Sequence, residues 1–171
     1  VNWVFEPYQQ FRLAGKVRER NADAFRGVID IVGERIMEYI HGRGKTVELD
    51  LRFEVLGGGA QWSLVRKIGA QARTGMFAQG IHAYMTVQQR GEELRWDYTI
   101  GRTSLFVDFD LQHMYRRLNE AEGRTGKPDC WGGGQTTGGS PRVEGSALSP
   151  QEVEDIVNRE CCCGHNGNGK K

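Results

Sequence analysis

The sequence predicts an α/β fold: a small mixed β-sheet with flanking helices, preceded by a long N-terminal linker helix. Three observations point there. Apolar residues recur every three or four positions across residues 16–41, a strand-like stretch at 46–56 runs into three glycines, and two further strand patterns are joined by the short turn "RGEE". A strand, a glycine turn and a helix in succession form the opening of an α/β unit.

Taken in order, Phe25, Val28, Ile29, Val32, Ile36 and Ile40 make one amphipathic helix, with charges between them. Gly27 and Gly33 weaken it by roughly 1 kcal/mol each relative to Ala, so packing has to hold it. "HGRGK" stops it with glycine. "TVELDLRFEVL" alternates Val47, Leu49, Leu51, Phe53 and Val55 against acids and Arg52, a half-buried strand whose acidic first part also fits an edge or a linker. "QWSLVRKIGAQAR" sets Trp62, Leu64, Val65 and Ile68 at helical spacing. "GIHAYMTVQQ" and "LRWDYTIG" read as an antiparallel hairpin. "DFDLQHMYRRLNEAEG" reads as a helix capped by Asp110, with Leu111, Met114, Tyr115 and Leu118 on one face. "SPQEVEDIV" carries a capping box: Ser149 as N-cap, Pro150 at the first helical position and Glu152 three residues after the cap. The organisation is therefore a segment and linker helix over residues 1–45, an α/β domain over 46–160 and a Cys/Gly-rich tail over 161–171.

Composition narrows the partners. In 171 residues, 23 Lys+Arg nearly cancel 22 Asp+Glu, so an anionic partner has to meet a local patch rather than a basic surface. No apolar run reaches the roughly 18–20 residues of a membrane span, and the N-terminus lacks signal-peptide order, which predicts a cytoplasmic protein without a membrane partner. Cys161, Cys162, Cys163 and His165 offer soft ligands, but adjacent cysteines fit neither a disulfide framework nor the paired spacing of structural zinc.

The stretch "DCWGGGQTTGGSPRVEGS" lies between two predicted helices, where a slack linker would be out of place. Gly139 stands where a P-loop needs lysine, and Thr137 where a dinucleotide fingerprint needs its third glycine. What remains is a run of bare amides at Gly132, Gly133, Gly134, Gly138, Gly139 and Gly145, the Ser140 hydroxyl and the Arg142 guanidinium. Amides in such loops form anion-binding nests, and an Arg fork adds bidentate phosphate recognition. Arg102, beside Thr103 and Ser104 at the end of a predicted strand, makes a second donor cluster. Ordinary surface arginines and chain-turning glycines account for the same residues. Trp96 and Tyr98 share one strand face, as either a base-stacking platform or core.

"FEVLGGG", "ARTGMFAQGIHAYMTV", "TIGRTSLFVDFDL", "RLNEAEG" and "DCWGGGQTTGGSPRVEGSALSPQEV" together resemble the C-terminal part of DHH-family phosphoesterases, from about residue 16 onward. In that family the DHH-associated domain ends in a motif of the form G-G-G-H-x-x-A-A-G that contacts the phosphate or nucleotide end of the substrate. The resemblance implies a substrate-binding domain for a phosphodiester, nucleotide or short oligonucleotide, with Arg102, Ser104 and the glycine loop in contact with it. Two departures stand out. The loop has no histidine, and no Asp-His-His triplet occurs; His41, His82, His113 and His165 are isolated from acidic clusters. Divalent metal (Mn or Mg) is then expected only in a DHH catalytic domain, supplied in cis from before residue 1 or in trans, and this chain alone lacks the hydrolytic machinery. The alternative is a non-enzymatic protein that forms a homo-oligomer by pairing the long helix through Val28, Val32 and Ile36.

Overall fold

The computed structural model describes residues 2–91 and 94–163, and the chain divides between Asp50 and Leu51 into two units. The first is a helical hairpin, where the sequence predicts one helix. α1 (Asn2–Leu13) and a short 3-10 turn (Lys16–Glu19) precede α2 (Ala22–Ile40). The second helix starts six residues later than its periodicity suggests, because Arg20 turns into the left-handed region (φ 51°) and Asn21 caps the helix. The Asn21 side-chain oxygen accepts the N–H groups of Asp23 and Ala24 at 3.1 and 3.0 Å.

Proline explains how the hairpin is tied. Pro7 sits inside α1 and has no N–H to offer the carbonyl of Trp3, four residues back. Arg35 of α2 takes that carbonyl instead at 2.5 Å, pairs with Glu6 at 2.9 Å, and lays its guanidinium 5.0 Å from the centre of the Trp3 ring. Around this tether Trp3, Val4 and Val32 are buried, with Tyr8 and Val47 packed on them. The segment 46–52 is therefore not strand: Val47 belongs to this small core, and pairing begins only at Phe53.

The second unit is a six-stranded mixed sheet with helices on both faces, the α/β architecture the sequence predicts. Strands β1 (Phe53–Gly58), β2 (Ser63–Lys67), β3 (Ala83–Gln89), β4 (Trp96–Arg102), β5 (Gly132–Gly133) and β6 (Thr137–Gly139) lie in the order β1-β2-β3-β4-β6-β5. Among the described strands only β2 and β3 run parallel, joined through α3 (Ala72–Ala78). The stretch at 63–67 is thus a strand and not the helix its spacing suggests. Leu64 and Val65 are both buried, on opposite faces, and a short apolar run buried on two sides carries no periodicity to separate strand from helix.

One face of the sheet, with Val65 and Tyr84, meets Met76 of α3. The other, with Leu64, Met85, Val87, Tyr98 and Ile100, meets α4 (Leu111–Ala121) and α5 (Pro150–Cys163). Asp110 caps α4 and Ser149 and Glu152 exchange capping bonds at α5, as the sequence predicts. At the β1–β2 turn, Gly58 N–H donates to Glu154 at 2.8 Å, while Asn158 accepts from the Trp62 indole at 2.9 Å and donates to the Gly58 carbonyl at 3.0 Å.

Replacing Arg35 with Met keeps an apolar stem but leaves the Trp3 carbonyl without its donor. We expect a loss of about 1.5–3 kcal/mol, the range for a charge-assisted bond, seen as faster amide exchange across α1 and α2. Unchanged protection of both helices refutes the tether.

Candidate anion-binding site

The glycine-rich stretch is neither linker nor open loop: it is the edge of the sheet. Gly132 and Gly133 pair with Gly139 and Gly138, and Gly138 and Gly139 pair in turn with Ile100 and Thr99. Side chains do not fit here. A Cβ on Gly133 would strike the Gly138 backbone, and one on Gly138 would strike the Tyr115 hydroxyl and the Gly132 carbonyl. Glycine thus lets the hairpin lie flat against α4, where Tyr115 donates its hydroxyl to the Gly134 carbonyl (3.1 Å) and Gln112 donates its amide to the carbonyls of Gly133 and Gly134 (3.3 and 3.2 Å). Burial, opposed by the Arg102 charge, pushes the Tyr115 hydroxyl up to about 12, so it remains a donor at neutral pH.

A buried polar frame fixes where this edge lies. Trp131, immediately before β5, is 1% exposed and stacks on Tyr98 at 5.3 Å between ring centres. Asn119 of α4 accepts the Trp131 N–H and donates to its carbonyl (2.8 and 2.9 Å), imitating a strand partner. The Trp131 indole donates to Glu122 at 2.7 Å, and the same carboxylate accepts the Ser146 hydroxyl (3.1 Å) and the Ala147 N–H (2.6 Å). Arg124 balances the charge: it lies 3.5 Å from Glu122, 2.7 Å from Glu144, and donates to the Asp129 carbonyl at 3.0 Å.

The segment "PRVEG" does form a nest of amides, and the chain fills it with its own anion. The Asp129 carboxylate accepts the N–H groups of Arg142, Val143 and Glu144 at 2.7, 3.2 and 3.1 Å. Partial burial pushes the Asp129 carboxyl up, but the three amides and Arg124 outweigh it and hold it below its ordinary range. Gly145 closes the turn by donating to the Pro141 carbonyl, and Arg90, paired with Asp97, donates to the carbonyls of Arg142 and Val143. The Arg142 side chain is exposed and has no partner among the described residues. Ser140 is buried, its hydroxyl accepting the Tyr98 N–H at 2.9 Å.

The other predicted cluster sits at the opposite end of β4, a strand of 7 residues that spans about 20 Å. There the half-buried Arg102 links two segments: its Nε donates to the Gln135 carbonyl and its Nη1 to the Val107 carbonyl, both at 2.9 Å. Its Nη2 is uncommitted among the described residues. Ser104 lies in the adjoining loop and accepts the Phe106 N–H at 3.3 Å. Gln135 and Thr136 form the exposed tip of the β5–β6 turn, and no hydrogen bond among the described residues uses their amides. The structure therefore brings together Arg102, Ser104 and the turn after Gly132–Gly134, on a hairpin shared with Gly138 and Gly139. It does not bring Arg142 and Gly145 to them.

Trp96 and Tyr98 do face one side, and that side is core: Tyr98 is buried under Trp131, with its hydroxyl bound to the Leu148 carbonyl at 2.8 Å, and Trp96 packs on the same cluster. Burial, with Glu122 and Glu152 nearby, pushes the Tyr98 hydroxyl far above its usual range. α5 extends through the cysteine run to Cys163; Cys161 packs against the core, whereas the side chains of Cys162 and Cys163, and His165, lie outside the described residues. His113 is not wholly apart from acids, since its Nε2 is 2.8 Å from Glu160. Asp129, Glu122, Tyr115 and Gln112 escape sequence reasoning; an Asp thirteen residues before the nest carries no local signal. No protein-family model matches the chain, and a search of curated proteins finds no match.

Because the folded Asp129 carboxyl titrates below the unfolded value of about 3.9, its contribution is complete above that pH and lost as pH falls through the folded value. Asp129→Asn is expected to lower the urea midpoint at pH 6 and to flatten its fall as the pH drops below about 4. Parallel acid limbs for the two proteins would sink this assignment.

Proposed function

We propose that the second unit is the substrate-binding domain of a DHH-type phosphoesterase and that it takes a phosphodiester, nucleotide or short oligonucleotide at the Arg102 end of β4. The observation that carries this reading is the Arg102 guanidinium, held by two carbonyls with one Nη left over, beside the exposed Gln135–Thr136 turn and Ser104. An oriented guanidinium next to free backbone donors suits a phosphate oxygen, because the fork is already positioned when the anion arrives. Near-neutral overall charge, +1, agrees with recognition at one spot rather than along a basic surface. The PRVEG nest is not that spot on this reading, since Asp129 already occupies it. Hydrolysis falls to a DHH catalytic domain in cis or trans that holds Mn or Mg; this chain contributes grip and orientation.

Calorimetric titration of the full chain with a 5′-phosphorylated dinucleotide tests the reading. Saturable, salt-sensitive binding is expected, weakened about tenfold or more by Arg102→Lys, which keeps the charge and loses the fork, and unaltered by Arg142→Gln. Absence of binding by the unsubstituted chain, or dependence on Arg142 instead, overturns it.

A second reading rests on α2. Val28 and Val32 are buried, Val32 in the hairpin's core, and are not free to pair, but Phe25, Ile29, Ile36 and Ile40 are 43%, 46%, 40% and 67% exposed along another face. Self-association through that stripe predicts a sedimentation coefficient that falls to the monomer value in Ile36→Asp/Ile40→Asp. A monomeric unsubstituted chain removes this reading.

A further inference from the structure

Phe106 is 100% exposed, and its neighbour Leu105 is 56% exposed, in the loop between β4 and α4. The ring is bare while the backbone that carries it is tied down. Thr103 N–H donates to the His82 carbonyl (2.8 Å), Phe106 N–H to the Ser104 hydroxyl (3.3 Å), Val107 N–H to the Ser104 carbonyl (3.3 Å) and Phe109 N–H to the Val107 carbonyl (2.8 Å). Two residues beyond Val107, Phe109 anchors the loop, buried at 2% and stacked on Trp62. The loop thus turns one aromatic ring in and holds another out. Arg102 grips the carbonyl of Val107, the residue after Phe106, so guanidinium and ring belong to one short segment whose consecutive Cα atoms are about 3.8 Å apart.

We propose that Phe106 is a base-stacking residue, and that the ligand of the Arg102 site is a phosphate ester bearing a nucleobase rather than a bare inorganic phosphate or polyphosphate. This rests on the phosphate site proposed above and specifies its substrate. An exposed ring offers a flat apolar surface that any base can cover, independent of base identity. A tethered backbone lowers the ordering cost when stacking occurs. A phosphate alone has no use for the ring. A phosphate joined to a planar base engages Arg102 and Phe106 together, and two weak contacts linked in one ligand reinforce each other.

The test compares two ligands on the full chain: the 5′-phosphorylated dinucleotide and the same sugar–phosphate backbone without bases. Phe106→Ala is expected to weaken the dinucleotide about tenfold or more while leaving the abasic ligand unchanged, and Phe106→Trp is expected to restore binding. In Phe106→Trp the dinucleotide should also change the indole fluorescence, and the abasic ligand should not. Equal weakening of both ligands, or of neither, overturns the stacking role while leaving the phosphate site intact. If neither ligand binds the unsubstituted chain, the phosphate site fails and the stacking role fails with it. Exposed as it is, the ring makes few packing contacts, so the variants should fold as the parent does; matching amide spectra confirm this.

Discussion

The placement of the glycine-rich edge depends on one buried carboxylate. Glu122, with a side chain 5% exposed, accepts hydrogen bonds from the Trp131 indole, the Ser146 hydroxyl and the Ala147 amide, with Arg124 as its counter-charge. A carboxylate taken this far out of water is tolerated only when hydrogen bonds and an opposite charge replace its hydration. That requirement makes the arrangement all-or-none in character: Trp131 precedes the hairpin, Ser146 and Ala147 follow it, and both ends are pinned to Glu122, the residue that caps the C-terminus of α4. The strands between, only 2 and 3 residues long, could not hold the edge of a sheet by their own ladder.

The frame also separates two ends of the same segment chemically. Near Trp96 the chain satisfies its own anion-binding capacity, with Asp129 in the amide nest and Arg90 on the carbonyls that flank it. Near Arg102 the equivalent groups stay open among the described residues: a guanidinium with one arm unused, and a turn whose amides no other described group uses. Self-complementation at one end argues that donors at that end are structural. Open donors at the other, on a hairpin held as firmly, are where a ligand can compete with water alone and not with the protein.

Much of this was legible before folding, and the failures have physical causes. Asp110 and Ser149–Glu152 announced their helices because a cap is a local interaction, readable within three residues. β1 and the β3–β4 hairpin followed from alternation and their turns, whereas α3 and the two short glycine strands β5 and β6 carried no such pattern. β2 did not follow either, since a strand buried on both faces loses the alternation that identifies it, and α1 hid behind Pro7, whose missing bond is supplied from Arg35 far along the chain. Of the predicted site, Arg102, Ser104 and the glycines emerged by residue type. What type could not tell was that Ser140 faces inward and that an amide nest can be filled from Asp129.

The glycines themselves carry the last step. Gly133 is required by the Gly138 backbone and Gly138 by the Tyr115 hydroxyl and the Gly132 carbonyl, so their first role is to let a hairpin close on α4 without side chains in the way. A side chain at either position would push the turn away from Arg102, whose Nε holds the Gln135 carbonyl at the tip. Close packing of the glycines and openness of the turn are therefore one constraint seen from two sides. The backbone lies flat on the helix below because its glycines leave room, and the same flat turn brings the Gln135 carbonyl within reach of the Arg102 Nε.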